Sequence, residues 1–495
     1  MPFSKLFLYF TVFLTGAAVL ILEVVAVRVL APFFGNTIFS VSSILSVVLA
    51  ALSLGYYLGG RLADRRPSSQ LFYSLIIISG LATLLVKISG SALLPLFSLT
   101  LPLTTGPLIS SFCLFLLPAL ILGTLSPFAI KLSQQFYPSD KIGQASGTIF
   151  FWSTAGSLFG SLSAGFLLIP RLGTDQIIIA TGLALVILGT AGLKLLRPPV
   201  ILSIIAVTLG ELTLISLISP ARSPQIVYSG DGIYQKILIR DTSSAPRTRY
   251  LIQDKNTSAA IYLESPDHVF AYTQYYSLYK TFFPSAKKVL VIGGGAYTIP
   301  KSYLADSPDF QVDVAEIEPG LYLLARKYFI LPDSPRLTNI TADGRSYLAR
   351  YPGSYDIIFA DAYSSFLSIP GHLVTREFFR LAKSRLSPDG LFIGNFIGSI
   401  TPTYPSYFLS QLKTFTSVFP AHLVFTLDQS NPGRIQNLIF VGFNQPPSSP
   451  SSSLPSNFKI HLLDTNTYDL TPHPVFTDNY NPAEYILAQT LKHSF

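Results

Sequence analysis

The run Val289-Leu290-Val291-Ile292-Gly293-Gly294-Gly295 decides how the second half of this chain folds. Four apolar, mostly β-branched residues that stop at three glycines read as a buried parallel strand breaking into a tight turn ahead of a helix. Glycine backbone there lets N–H groups approach a ligand that any side chain would hold away. A second apolar run, Val312–Ile317, carries Glu316, with Glu318 just beyond it, about 20 residues on, where a ribose-binding carboxylate belongs. Ala342-Asp343-Gly344 brings a third acid, and the strand-like Tyr355–Asp361 (YDIIFAD) a fourth. Each acid falls near the carboxyl end of a predicted strand, the edge at which open α/β sheets bind ligands. Singly they are ordinary loop acids; as an ordered set they point to a ligand site.

Composition says that this α/β region is only part of the chain. Of 495 residues 49% are hydrophobic and 12% charged, and mean hydropathy is +0.47. A soluble domain carries roughly 25% charged residues, so much of this protein is expected in lipid. The formal net charge of +8 does not indicate nucleic acid, because much of the basic excess in the first half flanks apolar segments, as membrane topology demands. One cysteine, Cys113, excludes an intrachain disulfide and a Cys-based zinc cluster, and the six histidines form no close ligand pairs, so no metal is expected.

Apolar stretches of spanning length occur at 6–27, 38–60, 71–96, 106–130, 147–169, 175–193 and 199–219, about seven helices. The first runs past signal-peptide length without a small-residue cleavage site. Small residues four apart, at Gly55 and Gly59, Gly143 and Gly147, and Gly156 and Gly160, predict close helix packing. Glu23 lies within the first span and reads as a structural acid, paired with Arg28 or with another helix. Gly59–Arg66 (GGRLADRR) resembles the cytoplasmic loop of major facilitator transporters. Lys5, Arg61, Arg65, Arg66, Lys131, Lys141, Lys194 and Arg197 fall on one side, against Arg28, Arg171 and Arg222 on the other. That bias puts the N-terminus inside and, with seven spans, the C-terminal region outside. Splitting 71–104 into two passes around Lys87 would return it to the cytoplasm, so the side stays open.

After Pro220 the chain turns polar. Tyr234–Arg240 and Tyr250–Gln253 alternate as antiparallel strands, a small β-rich lead-in. Strands and helices then alternate from Val289 to about Phe443, with Leu391–Asn395 and Leu438–Gly442 as late strands. Pro446–Pro455 reads as a flexible insert and Thr477–Pro482 (TDNYNP) as the start of a last short helix. The expected organisation is a multi-pass α-helical membrane domain at 1–220, the lead-in at 221–288, and an α/β domain at 289–495.

Tyr234-Gln235, Gly293-Gly294-Gly295, Glu316-Ile317-Glu318, Ala342-Asp343-Gly344 and Tyr355–Asp361, followed by Pro370, Leu373 and Phe378-Phe379, resemble the spermidine synthase family of polyamine aminopropyltransferases over 226–400. With its apolar helices the whole chain resembles the membrane-fused spermidine synthase-like proteins of polyamine biosynthesis. The resemblance implies a Rossmann-like, methyltransferase-type fold. It also implies decarboxylated S-adenosylmethionine, or S-adenosylmethionine, as co-substrate, with no tightly bound cofactor. Gln235 would contact the sulfonium, Glu316 the ribose hydroxyls and Asp343 the adenine amine. Gly293, Gly294, Gly295 and Gly344 would line the nucleoside, and Asp361 would be the catalytic base.

Departures accompany these matches. The family's GGGDGG continues here as Ala296-Tyr297-Thr298, and its D-x-x-D-P as Asp361-Ala362-Tyr363-Ser364, with serine where a second acid belongs. Its D-G-x-x-Q is replaced by Asp254-Lys255-Asn256-Thr257-Ser258, and its Y-H-E has only Tyr272-Thr273-Gln274 nearby. Asp361 is then the base, with Tyr363 or His372 assisting it; His372 otherwise reads as a loop histidine. Three functions follow: a membrane-bound aminopropyltransferase acting on an amine such as putrescine, a related transferase with another acceptor, and a non-catalytic nucleoside-binding transporter or sensor. Membrane lipid and a small-molecule amine are the expected partners, nucleic acid is not, and a homodimer is the assembly the resemblance allows. Multi-pass location in the cell membrane is expected.

Overall fold

A computed structural model describes residues 5–138, 141–193, 198–218, 223–254, 256–363, 369–447 and 452–492. Readings that rest on Lys194, Arg197, Pro220, Arg222, Lys255, Ser364 or 448–451 of the proline-rich insert fall outside them. The chain forms two compact units, Met1–Ser223 and Pro224–Phe495.

The first unit is helical: α1 (Lys5–Phe34), α2 (Ile38–Arg65), α3 (Ser69–Thr100), α4 (Gly106–Phe136), α5 (Ile142–Ser163), α6 (Thr174–Gly192) and α7 (Pro198–Ile218). Among the described residues five of these, α1 to α4 and α6, are long and apolar enough to cross a membrane. Helices in lipid gain no hydrophobic drive towards one another, so association relies on close packing, which small residues permit. A Cβ on Gly156 of α5 would lie 1.9 Å from the Phe13 carbonyl oxygen of α1, and one on Gly55 of α2 would lie 2.3 Å from the Leu120 oxygen of α4. The expected pair Gly143 and Gly147 does not work this way: nothing lies within 4 Å of a Cβ at either, so spacing alone misassigned that face. Nor does 71–104 split around Lys87. Helix α3 runs through it unbroken, and Lys87 Nζ reaches Asp175 Oδ2 of α6 at 2.5 Å, which gives the charge a partner without ending the helix.

The second unit begins with an antiparallel sheet of β1 (Ile226–Asp231), β2 (Lys236–Asp241), β3 (Thr248–Gln253) and β4 (Asn256–Tyr262), in that order. Sequence reading found the middle two only. After a short helical stretch ending in α8 (Tyr279–Phe282) come β5 (Lys288–Ile292), α9 (Thr298–Asp306), β6 (Gln311–Glu316), α10 (Leu321–Tyr328), β7 (Leu337–Thr341), α11 (Gly344–Arg350), β8 (Tyr355–Ala360), α12 (Arg376–Ser384), β9 (Leu386–Gly398), α13 (Tyr407–Thr416), β10 (His422–Thr426), β11 (Gln436–Phe443), α14 (Ser456–Lys459) and α15 (Ala483–Lys492). The order β10-β11-β9-β8-β5-β6-β7, with β5 to β9 parallel and β11 antiparallel to both neighbours, is a Rossmann-like methyltransferase fold.

Val289, Leu290, Val291, Ile357, Ile358 and Phe359 are fully buried, the continuous apolar signature of parallel strands covered on both faces. Connections leave β5 and β8 in opposite directions. That makes the crevice at their carboxyl ends the topological switch point, where such sheets place their ligands.

Candidate functional site

Strand β5 ends in a turn that only glycine fits. Gly293 has φ +92°, and a Cβ on it would meet the Asp361 carbonyl oxygen at 2.4 Å. The close approach of the β5 and β8 exits therefore depends on this one missing side chain. Gly295 is also left-handed, at φ +52°. Where the family motif would have a further glycine, Tyr297 takes φ +58° despite its side chain. That backbone costs about 1 kcal/mol. Burying the ring returns about 2–3 kcal/mol: Tyr297 is fully buried, packs on Tyr322 at 5.6 Å, and its hydroxyl donates to Asn339. Burial wins, and the departure from glycine is tolerated.

Glu316, at the end of β6, faces this turn. Its Oε2 accepts from the N–H of Gly294 (2.7 Å) and Gly295 (3.4 Å), and its Oε1 from the N–H of Glu318 (2.8 Å). Burial pushes its pKa up, and these backbone donors pull back against that. Glu318 Oε2 accepts from the Tyr234 N–H at 2.9 Å, which ties the β1–β2 turn to the sheet edge. From the same turn Gln235 donates through Nε2 to the Tyr363 carbonyl (3.3 Å) and accepts from Gln253 (2.5 Å).

Asp343 follows β7 and caps α11, its Oδ1 accepting from the Ser346 N–H at 2.8 Å. His372 Nε2 sits 2.6 Å from Oδ2. Hydrogen bonding from His372, helped by the helix N–H, holds the Asp343 carboxyl down to about 2. This corrects the expectation that His372 assists Asp361; its ring is committed to Asp343. Gly344 packs over β5, where a Cβ would meet Ile292 Cγ2 at 2.3 Å.

Asp361 leaves β8 into a different environment. Tyr272 OH donates to its Oδ2 (3.0 Å) and Asn395 Nδ2 to its Oδ1 (2.8 Å), while Asn437 holds Asn395 from behind (3.0 Å). Burial pushes Asp361 up to about 6 despite both donors. Tyr363, the other expected helper, donates to the Asn395 carbonyl instead, at 2.8 Å. Sequence reading overlooked Asn395, Asn437 and Gln253 as site residues. An asparagine inside the otherwise apolar run Leu391–Gly398 was the available signal, since a buried amide needs a partner.

The structure thus gathers Gln235, Gly293–Gly295, Glu316, Asp343, Gly344 and Asp361 along one sheet edge. Residues 276–422 match the spermine/spermidine synthase domain. The polyamine aminopropyltransferase of Chromobacterium violaceum is 30% identical over 189 residues, 37% of this chain and 67% of that protein. The chain belongs to the polyamine aminopropyltransferase family. The Vibrio vulnificus polyamine aminopropyltransferase is 30% identical over 157 residues, 31% of this chain, and the chain spans only half (50%) of that relative's length. A longer match, 26% identical over 451 residues, joins 83% of this chain to 82% of the Corynebacterium efficiens family member. Residues 224–495 cannot supply that share alone, so the likeness within the family extends into the helical unit.

Proposed function

We propose that this chain is a membrane-bound aminopropyltransferase that moves the aminopropyl group of decarboxylated S-adenosylmethionine onto an amine such as putrescine. The glycine turn takes the donor close to backbone, Glu316 accepts the ribose hydroxyls, Asp343 accepts the adenine amine, and Gln235 lies beside the sulfonium. The acceptor nitrogen attacks the propyl carbon next to sulfur. The carbon–sulfur bond breaks, its electron pair stays on sulfur in 5′-methylthioadenosine, and the proton of the new ammonium passes to Asp361. The observation that carries this reading is Asp361 itself: a half-buried carboxylate at the switch point, oriented by Tyr272 and Asn395, with a pKa of about 6 that leaves it ionised and basic at pH 7. The five long apolar helices support a multi-pass membrane location with lipid around them; a homodimer is the assembly that the family resemblance alone suggests.

The test is turnover by the full chain in detergent with decarboxylated S-adenosylmethionine and putrescine, read by mass spectrometry. Spermidine and 5′-methylthioadenosine are the expected products. Nucleoside binding without any product would sink the reading. A second reading, transfer to an acceptor other than a diamine, is favoured by the groups around Asp361. Among the described residues they are amides and a phenol (Asn395, Asn437, Gln235, Tyr272) rather than the further carboxylates that a distal ammonium would need. Monoamines in the same assay separate the two.

A further inference from the structure

The motif Thr477–Pro482 is not used by the chemistry above, yet it sits against the nucleoside end of the site. Asp343, Arg345, Ser346, Gly371, His372 and Asp478 help to line a cavity of about 460 Å³ there. Arg345, two residues past Asp343 in the first turn of α11, spends its guanidinium fork on Asp478: Nη1 to Oδ1 at 2.7 Å and Nη2 to Oδ2 at 2.5 Å. Nη1 also reaches the His372 carbonyl at 3.0 Å. Asp478 is fixed in turn by the Thr375 hydroxyl (2.9 Å) and by its own N–H donating to Glu377 (3.0 Å). Asn481 Nδ2 donates to the Gly371 carbonyl at 2.7 Å, fastening the same segment to the loop that carries His372.

An arginine this close to a carboxylate prefers a bidentate pair with it. Asp343 already accepts from the Ser346 N–H on Oδ1 and meets His372 on Oδ2; without Asp478, Arg345 could turn to it and take the lone pairs that remain for a purine amine. We infer that Asp478 is a positioning residue: it diverts Arg345 from Asp343 and keeps that carboxylate open for the exocyclic amine of an adenine nucleoside. The segment near the C-terminus thereby sets base specificity in a site whose reacting atoms it never touches. This role rests on the reading of Asp343 as the adenine acceptor.

The experiment is isothermal titration of the full chain in detergent with 5′-methylthioadenosine and with its deaminated counterpart 5′-methylthioinosine, which offers a carbonyl in place of the amine. Wild type binds the amine form at least about tenfold more tightly, the worth of one hydrogen bond to a charged group. Asp478→Asn reduces that preference to about threefold or less, while affinity for 5′-methylthioinosine stays constant. Asp478→Asn combined with Arg345→Gln restores the preference, because the competitor is gone. Equal weakening of both nucleosides in Asp478→Asn, or no recovery in the double variant, overturns the inference. Should Asp478→Asn fail to fold, Arg345→Gln alone decides: the preference survives if Arg345 is only a competitor, and its loss overturns the role. A wild type that binds nucleoside without discriminating sinks this role and the Asp343 assignment but leaves the rest of the donor site standing, whereas one that binds neither nucleoside sinks the whole donor-site reading.

Discussion

Asp343 leaves β7 and Asp361 leaves β8, two strands held apart by β6 and β5 at the same carboxyl edge of the sheet, and their surroundings drive them in opposite directions. Asp343 sits at a helix N-terminus with His372 against it and is held down to about 2. Asp361 has two neutral donors, Tyr272 and Asn395, and burial raises it to about 6. A helix terminus and an imidazole reward a fixed negative charge. Neutral donors in a dry pocket orient a carboxylate without fully compensating its desolvation. The first is suited to reading a ligand and the second to accepting a proton. One residue type is thereby suited to both ends of the proposed site through environment alone.

The comparison breaks most sharply at Asp361. Asp361→Asn keeps the shape and the hydrogen bonds but removes the base, and turnover should fall about 10³-fold, with nucleoside affinity by titration little changed. In wild type the same assignment makes kcat fall about tenfold per pH unit below about 6, as the carboxylate protonates. A turnover loss smaller than about tenfold in Asp361→Asn would move the proton acceptor elsewhere.

Gly293→Ala comes next, because the turn holds the β5 and β8 exits, and so the two ends of the site, in register. The added methyl would stand 2.4 Å from the Asp361 oxygen on a backbone at φ +92°. Strain and displacement together should cost about 3 kcal/mol, read as a lower denaturation midpoint. Gly295→Ala tests the turn differently. It is left-handed too, but its Cβ would have 3.9 Å of clearance, so only the backbone cost of about 1 kcal/mol should appear.

How far the site was readable follows the same division. The glycine turn and its acids were legible because a β-branched run ending in glycine has few other structural meanings, and because parallel strands bring their carboxyl ends together whatever the intervening helices are. The partners that set each acid's character were not. Tyr272 comes from a helical segment before β5, Asn395 from the far side of β8, and His372 from a loop that could have faced either acid. Sequence spacing carries no information about which of these meet. Strands failed for a related reason. In β4 the buried residues Ala259, Ala260 and Ile261 are adjacent rather than alternating, and β10 is a five-residue strand whose three apolar residues, Leu423, Val424 and Phe425, are consecutive, with no period to read. In the helical unit, spacing found Gly55 and Gly156 but also Gly143, since a small residue looks the same whether or not a helix lies against it.

A last pair of modest effects isolates the two environments from function. The Asp343 pKa in the folded chain, about 2, lies below its ordinary 3.8. Ionised Asp343 therefore adds stability that is present above pH 4 and lost as pH falls through about 2. Asp343→Asn should therefore destabilise the chain throughout pH 4–7, by about 1–2 kcal/mol. Asp361 has the opposite sign. Its folded value of about 6 exceeds 3.8, so its contribution is greatest below pH 4 and is lost as pH rises through 6. Asp361→Asn should therefore stabilise the chain by about 1–2 kcal/mol at pH 7, because Asn395 still meets an oxygen and the Tyr272 hydroxyl can accept as well as donate. That gain should shrink to nothing by about pH 4. Denaturation of the full chain and both variants across pH 4–8 reads the two signs side by side. If both variants shifted stability in the same direction, the two carboxylates would share one environment, and the division of labour drawn from them would fall.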